Sequence, residues 1–390
     1  MADVVIAGGG IGGIVLADLL CLGGKHVVVI EKSTSPPPWV RPEILWPATM
    51  DALYGLRPQA FWENERCLVP LRGIECGTGD RTFPLISEDT IQSAGVRPVS
   101  AEPNKLREAL LRTCQGEVRR GFEVTGLRRC GGKVTGLTGK RLTDQESCEV
   151  EARWIVGDDG MHSRVRTEAN IHIELRSFPV DFLVRRFSRP AELAKDLGHA
   201  FLVPRKEPGL RAFGLLPQGP GIGAGVALVD ETEKTTEILA AQWESFVGDH
   251  AQLPEEVRRA EFPSSFARIH RVFGHAARYG SENVILLGDA LHPVSPAGGQ
   301  GANMAVADAL VLARLLLDGG RDVSSRYEAL RRPANARSLR ITKLAARFFS
   351  APSTQFSRAA GAAALAFLVG HPKLVAWQLR RISGAFKTPR

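Results

Sequence analysis

The chain has 390 residues, of which 44% are hydrophobic and 24% charged, and its formal net charge is +8. At roughly 100–200 residues per domain, this suits two domains or one elaborated domain with a sizeable core. The positive balance suits phosphate-bearing cofactors or acidic ligands. No nucleic acid partner is expected, because no basic run is long and tyrosine is scarce.

Residues 4–7 are a short apolar run ending in glycines, which predicts a buried parallel strand. The spacing of Ile14, Ala17 and Leu20 predicts a helix over 14–22, stopped by Gly23-Gly24. Residues 26–30 read as a second strand ending at Glu31, which completes a βαβ unit. A proline-rich loop follows over 33–38. Residues 103–113 read as a helix, with proline at an early position and Leu106 and Leu110 one turn apart. Residues 154–156 form another buried strand and lead into Asp159-Gly160.

From about 171 to 268, short apolar segments such as Phe182-Leu183-Val184 and Ala212-Phe213-Gly214-Leu215-Leu216 alternate with turn residues and predict antiparallel strands. Residues 284–287 return to the buried-strand pattern, and 302–317 form a long apolar helix closed by Gly319-Gly320. The tail beyond 345 is helical and alanine-rich. Its apolar stretch, 359–370, is shorter than the ~20 residues a membrane span needs, so no transmembrane segment is expected; the tail should pack on the body, with a partner or a membrane surface as the alternatives. Cys21, Cys67, Cys76, Cys114, Cys130 and Cys148 form no C-x-x-C pair, which argues against a zinc site or a disulfide framework. With no signal-peptide pattern at the N-terminus, a reduced cytoplasmic setting is expected.

Three motifs carry chemistry. Gly8-x-Gly10-x-x-Gly13 follows a strand and opens a helix, the context that gives the pattern meaning. Gly8 permits a tight turn, Gly10 lets backbone approach a pyrophosphate, and Gly13 lets helix and strand pack closely. The helix N-terminus that follows offers unpaired N–H groups to phosphates. Glu31, followed by Lys32, is placed to accept hydrogen bonds from an adenosine ribose. The bland alternative is a glycine turn with no ligand. Gly288-Asp289 sits at the end of the 284–287 strand, where a carboxylate can accept hydrogen bonds from a polyol. The glycine-rich stretch 296–303 then aims a helix N-terminus at a buried, electron-accepting ring. A plain strand-turn-helix joint capped by aspartate is the alternative there. Asp159-Gly160 with Ser163 and Arg166 reads equally as a strand-end turn and a helix cap.

Together and in this order, the motifs resemble the class A flavoprotein monooxygenases, the p-hydroxybenzoate hydroxylase-like family, from Val4 to about Ala346. The resemblance implies an α/β fold: a Rossmann-like FAD-binding domain (1–70, 100–170 and 270–345), an interleaved antiparallel-sheet substrate domain (71–99 and 171–269) and C-terminal helices (346–390). It implies that Gly8, Gly10, Ile11, Gly12, Gly13, Glu31 and Lys32 hold the ADP part of FAD. Asp159 and Arg166 would lie at the pyrophosphates, and Asp289 at the ribityl chain. Pro296, Gly298, Gly299, Gly301, Ala302 and Asn303 would line the isoalloxazine, and Arg41 would lie near the flavin's moving position, although Pro42 stands where glycine is usual. Pro103 occupies the place of a family arginine that reaches FAD, so Lys105 or Arg107 is expected to substitute.

The implied reaction uses NADH or NADPH to reduce FAD. Dioxygen then forms a flavin hydroperoxide that hydroxylates or epoxidises an aromatic or polyketide-like small molecule. No metal and no catalytic side chain is assigned. His270, His275, Arg185, Arg186 and Arg211 flank the substrate domain and read as structural, and His292 reads as a loop residue. A flavin-dependent reductase, a halogenase or a non-catalytic flavin carrier are alternatives on the same fold. The halogenase W-x-W-x-I-P pattern is absent.

Overall fold

The structure is a computed structural model that describes residues 1–36, 42–78, 81–188, 196–202, 210–230, 235–249, 267–295, 299–350, 367 and 370–384. The elements that position the site are, in chain order, β1 (Ala2–Ala7), α1 (Ile11–Leu22), β2 (Val27–Glu31), α2 (Pro103–Arg112), β3 (Ser147–Gly157), β4 (Val284–Leu286), α3 (Gly301–Leu317), α4 (Val323–Ser350) and α5 (Pro372–Gly384).

β4, β3, β1 and β2 lie side by side in that order, followed by Glu117–Arg120, and all five strands are parallel. Val5, Ile6, Ile155 and Ile285 are fully buried. α1 and the antiparallel strands Phe122–Cys130 and Lys133–Arg141 pack against these strands and bury both faces, which is why they read as unbroken Val/Ile runs. Each such side chain contributes roughly 1.5–3 kcal/mol by leaving water.

Two elements differ from expectation. β3 begins at Ser147, well before the expected 154. Its first half pairs antiparallel with Lys133–Arg141, with Leu137 opposite Val150, and alternates exposed and buried side chains. α1 begins at Ile11, so Gly12 and Gly13 belong to the helix. A Cβ on Gly12 would meet the Ala305 Cβ and the Leu287 Cδ2 at 3.0 Å each, which marks the crossing of α1 over α3.

The second sheet has seven strands, in the order Ala267–Ile269, Val180–Ser188, Ile222–Asp230, Leu210–Gly219, Leu197–Leu202, Gly73–Thr78, Arg81–Ile86. Its pairs are antiparallel except Leu197–Leu202 with Gly73–Thr78, which run parallel. Phe213 meets Trp243 edge to face at 4.6 Å, fixing the helix Thr236–Asp249 on this sheet. The glycine-rich stretch 219–225 contains a hairpin turn and the start of a strand.

α5 buries Val375, Ala376 and Leu379 in one cluster with Trp46, Met304 and Leu339, so one face of the tail packs on the body. Most of the apolar stretch 359–370 lies outside the described residues. Among the described residues, no helix is long and apolar enough to cross a membrane. All six cysteines are free, and burial pushes the Cys67 and Cys114 thiols up to about 12.

Gly12→Val is expected to destabilise the protein by about 1–3 kcal/mol, because neither the Ala305 methyl nor Leu287 has room to retreat. Urea unfolding of the two proteins checks this; an unchanged midpoint would show that the crossing can relax.

Candidate cofactor and active site

β1, β3 and β4 are parallel, so their C-terminal ends open on one edge and deliver three turns to one place. Gly8 leaves β1 with φ +97°, a left-handed conformation that favours glycine. The Asp158 N–H donates to the Ala7 carbonyl at 2.8 Å, continuing the β1–β3 ladder by one step. That step carries the Asp158 side chain beneath the first turn. Its Oδ2 accepts the Gly13 N–H at 2.8 Å. A Cβ on Gly10 would lie 2.4 Å from Oδ2, and one on Gly288 would lie 2.6 Å from Oδ1. The carboxyl is therefore wedged between the two glycine turns. Burial, opposed by the Gly13 N–H and reinforced by Asp289, Asp159 and Glu31, pushes its pKa well above the ordinary carboxylate range.

Glu31 closes the other side of the first turn. Its Oε2 accepts the Gly9 N–H at 2.6 Å and pairs with the Arg107 guanidinium at 2.8 Å, while Oε1 accepts the Ser33 N–H at 2.6 Å. Burial opposes the charge, but Arg107 and the two N–H groups outweigh it and hold the carboxyl below its usual range. Arg107 also donates from Nε to the Gly9 carbonyl at 2.7 Å. Of the two cations expected to replace the missing arginine, the structure brings Arg107 to the turn. Lys105 is exposed, and its backbone N–H is capped by Glu102. Lys32 lies on the surface, paired with Glu123 at 2.7 Å. Ile11 and Gly10 are half-buried at the start of α1, whose N-terminus carries no side-chain cap at its N-cap position.

On the second side, Gly288 turns with φ +57° and Asp289 follows, partly exposed, with Oδ2 accepting from Arg271 at 3.0 Å. α3 starts at Gly301, and its N-cap, Gln300, makes no side-chain cap. The N-terminal positive end of α3, at Gly301 and Ala302, therefore stays available to an anion. Asn303 is fully committed: its Oδ1 accepts from the Trp46 N–H and Thr49 Oγ1, and its Nδ2 donates to the Ile44 and Gly299 carbonyls. It latches the turn to the segment 44–49 and leaves no side-chain group for a ligand. Arg41, Pro296 and Gly298 lie outside the described residues.

Asp159 Oδ2 accepts the Arg164 and Val165 N–H groups at 2.7 and 3.1 Å, and Ser163 caps Arg166. Arg166 itself is buried and donates to the Ala290 and Met161 carbonyls. The Asp-Gly motif thus caps the helix Arg164–Glu168, and its arginine ties this loop to the loop after β4. Asp159 still points one buried oxygen, Oδ1, at no partner, and the Arg271 Nε and Trp46 Nε1 are likewise unpartnered. Two uncapped helix starts, glycine-lined turns and these orphaned polar atoms fit an extended, phosphate-bearing, partly polar ligand such as FAD.

Several functional-region residues were not anticipated. Asp158 sat beside the expected Asp159, and the only signal was the doublet itself. Arg271 precedes the Gly-Asp motif by eighteen residues and has no motif of its own. His292 is fully buried, bonding Asp308, which also pairs with Arg331 and Asn335. Asn335 continues to the Tyr279 hydroxyl, which meets His275 Nε2 at 2.9 Å. Burial and the nearby cations push His275 down to about 4, so it is neutral. Arg185 pairs with Glu244, Arg186 with Glu102, and His270 with Asp181, the structural roles expected of them. The side chain of Arg211 lies outside the described residues.

The buried Asp158 gives a pH prediction. In an unfolded chain it ionises near the ordinary 3.8, but in the fold it stays protonated well above that. Its contribution to stability is full below the unfolded value and is lost as pH rises toward the folded value. Asp158→Asn cannot ionise, so its stability relative to wild type is expected to rise as pH increases from about 4 through the neutral range. Urea midpoints of the two apoproteins across that range decide it; parallel profiles would show that Asp158 ionises normally.

Residues 1–341 match the family described as FAD binding domain. The whole chain is 30% identical to a protein named 6-methylpretetramide 4-monooxygenase from Streptomyces rimosus, covering 93% of that protein. Over 80% of its length it is 30% identical to a rifampicin monooxygenase of Streptomyces venezuelae, of which it spans 63%. The solved p-nitrophenol 4-monooxygenase PnpA of Pseudomonas putida DLL-E4 shares the fold, with a TM-score of 0.79 at 19% identity, covering 100% of this chain and 99% of that one. The chain belongs to this FAD-binding family, the class A flavoprotein monooxygenases, and is an FAD-dependent oxidoreductase.

Proposed function

We propose that the protein uses NADH or NADPH and dioxygen to hydroxylate or epoxidise an aromatic or polyketide-like small molecule. The observation that carries this reading is the convergence of two helix N-termini, α1 and α3, whose N-cap residues supply no side-chain bond, on one glycine-lined edge. The compounds for which the two relatives above are named, a pretetramide and rifampicin, support a polycyclic or polyketide-like substrate.

The chemistry that FAD supplies when bound is two-electron uptake from the nicotinamide and activation of dioxygen. This chain's residues do the rest. Glu31, held ionised by Arg107, accepts hydrogen bonds from the ribose hydroxyls. The α1 N-terminus receives the pyrophosphate, and burial of Asp158 beneath it disfavours an opposing charge there. Asp289, steadied by Arg271, accepts from the ribityl hydroxyls. The positive end of α3 at Gly301 and Ala302 favours negative charge on the ring. Asn303 fixes that helix start against residues 44–49, so the turn cannot drift. Asp159 offers one buried oxygen, Oδ1, that has no protein partner.

Anaerobic mixing with NADH or NADPH is expected to bleach the flavin, and a matching polycyclic phenol to accelerate that bleaching and trigger oxygen uptake. Stopped-flow absorbance with an oxygen electrode checks both; bleaching with no substrate-dependent uptake across a phenol and polyketide panel would sink the proposal. Arg107→Ala is expected to weaken FAD binding about ten- to hundredfold, because Glu31 loses its charged partner. Lys105→Ala is expected to leave it unchanged. Titration calorimetry of the apoproteins with FAD distinguishes the two cations.

A further inference from the structure

The charge of this chain is unevenly placed. After Glu328 it carries 12 Lys and Arg and no Asp or Glu, whereas residues 1–328 carry 38 Lys and Arg against 42 Asp and Glu. The positive balance of the whole protein therefore resides in α4, α5 and the chain around them. Some of that charge is neutralised inside: Arg331 pairs with Asp308 and Arg332 with Glu328. Among the described residues, the remaining Lys and Arg side chains of this region are exposed.

Between α4 and α5 lies a cleft of about 260 Å³, lined by Gln300, Arg337, Arg340, Ile341, Leu344 and Arg381 among others. Among the described residues, no carboxylate lies within ion-pair reach of Arg337, Arg340 or Arg381. The walls are apolar yet open to solvent: Leu344 is 68% exposed, Ile341 43% and the neighbouring Trp377 45%. Arg381 lies over the Trp377 ring at 5.0 Å. On α4, positions 330, 337, 341 and 344 fall on one stripe, which places Leu330, Ile341 and Leu344 beside Arg337.

Unneutralised cations beside exposed aliphatic side chains and a tryptophan are a costly surface in water. A nucleic acid would satisfy the cations but not Leu344 or Ile341. An anionic bilayer satisfies both: apolar side chains enter the acyl boundary, guanidinium groups meet phosphates, and an indole sits at the interface. We propose that the α4–α5 cleft and its rim seat this protein peripherally on an anionic lipid bilayer, with lipid phosphates against Arg337, Arg340 and Arg381. The proposal is independent of the reaction that the enzyme performs.

The test is flotation of the FAD-loaded protein with vesicles of phosphatidylglycerol mixed with phosphatidylcholine, and with phosphatidylcholine alone, at low and high salt. The protein is expected to co-float only with the anionic vesicles. R337Q/R340Q is expected to reduce partitioning about twentyfold. Leu344→Gln with Trp377→Ser is expected to abolish the binding that remains at high salt. All three α4 positions are exposed and should be replaceable without unfolding; circular dichroism and thermal melting verify that the variants fold. No association with anionic vesicles overturns the proposal, as does equal binding by R337Q/R340Q. Release from vesicles by inorganic phosphate would assign the cleft to a free anion. Preferential capture by a short DNA duplex would assign it to nucleic acid, and self-association that hides Trp377 to a second copy; each of these also overturns it.

Discussion

The hydrogen bond from the Gly13 N–H to the Asp158 carboxyl is the constraint on which the site depends. It fastens the first turn of α1 to the end of β3. The same carboxyl abuts Gly288 at the end of β4, so one side chain sets the spacing of both turns. Side chains larger than hydrogen at Gly10 or Gly288 would collide with it. The glycines serve the acid as much as any ligand: the fold leaves a slot, and Asp158 fills part of it. Burying such a group is tolerable when its charge is disfavoured and it is bonded: burial raises its pKa, and the Gly13 N–H donates to it.

A second buried network supports the other wall. Asp308, on the inner face of α3, is charged, and although burial opposes this, Arg331 and His292 hold it down to about 2. Through Arg331 and Asn335 it fastens α3 to α4, and through His292 it reaches the loop after β4. Such a buried ionic group adds little net stability over a well-packed apolar one, but removing a single partner would strand a charge. Its effect is to fix the angle at which α3 leaves the glycine turn, and so the direction of its positive end. His292 is a structural member of this network, which is more than a loop residue.

Much of the fold was legible, because burial on both faces and glycine punctuation leave a clear trace in sequence. Residues 4–7 and 284–287, the helix over 302–317 and the strands around Phe182 and Phe213 appear within a few residues of expectation. β3 was legible only in its second half. The first half pairs at an edge, where Glu149 and Glu151 alternate with Val150 and Ala152 and mask the strand. The site was legible as motifs but not as contacts. Spacing could place Glu31 but could not say whether Lys105 or Arg107 would meet it, since both lie on one helix turn and only packing decides. Likewise Asn303 was readable as a helix start, while three of the four bonds in its latch reach residues more than 250 positions away.

The order of the central sheet has a kinetic corollary. β1 is made first, yet its neighbour β3 ends at Gly157, and β4 follows only after residue 284. At about 5–20 residues per second of translation, the opening segment waits on the order of ten seconds or more for its inner partner to leave the ribosome. During that interval Val4, Val5 and Ile6 have one flank unpaired, and sequence-distant pairing of this kind is slow to form. Nascent chains of this architecture should therefore lean on a holdase until their last third emerges.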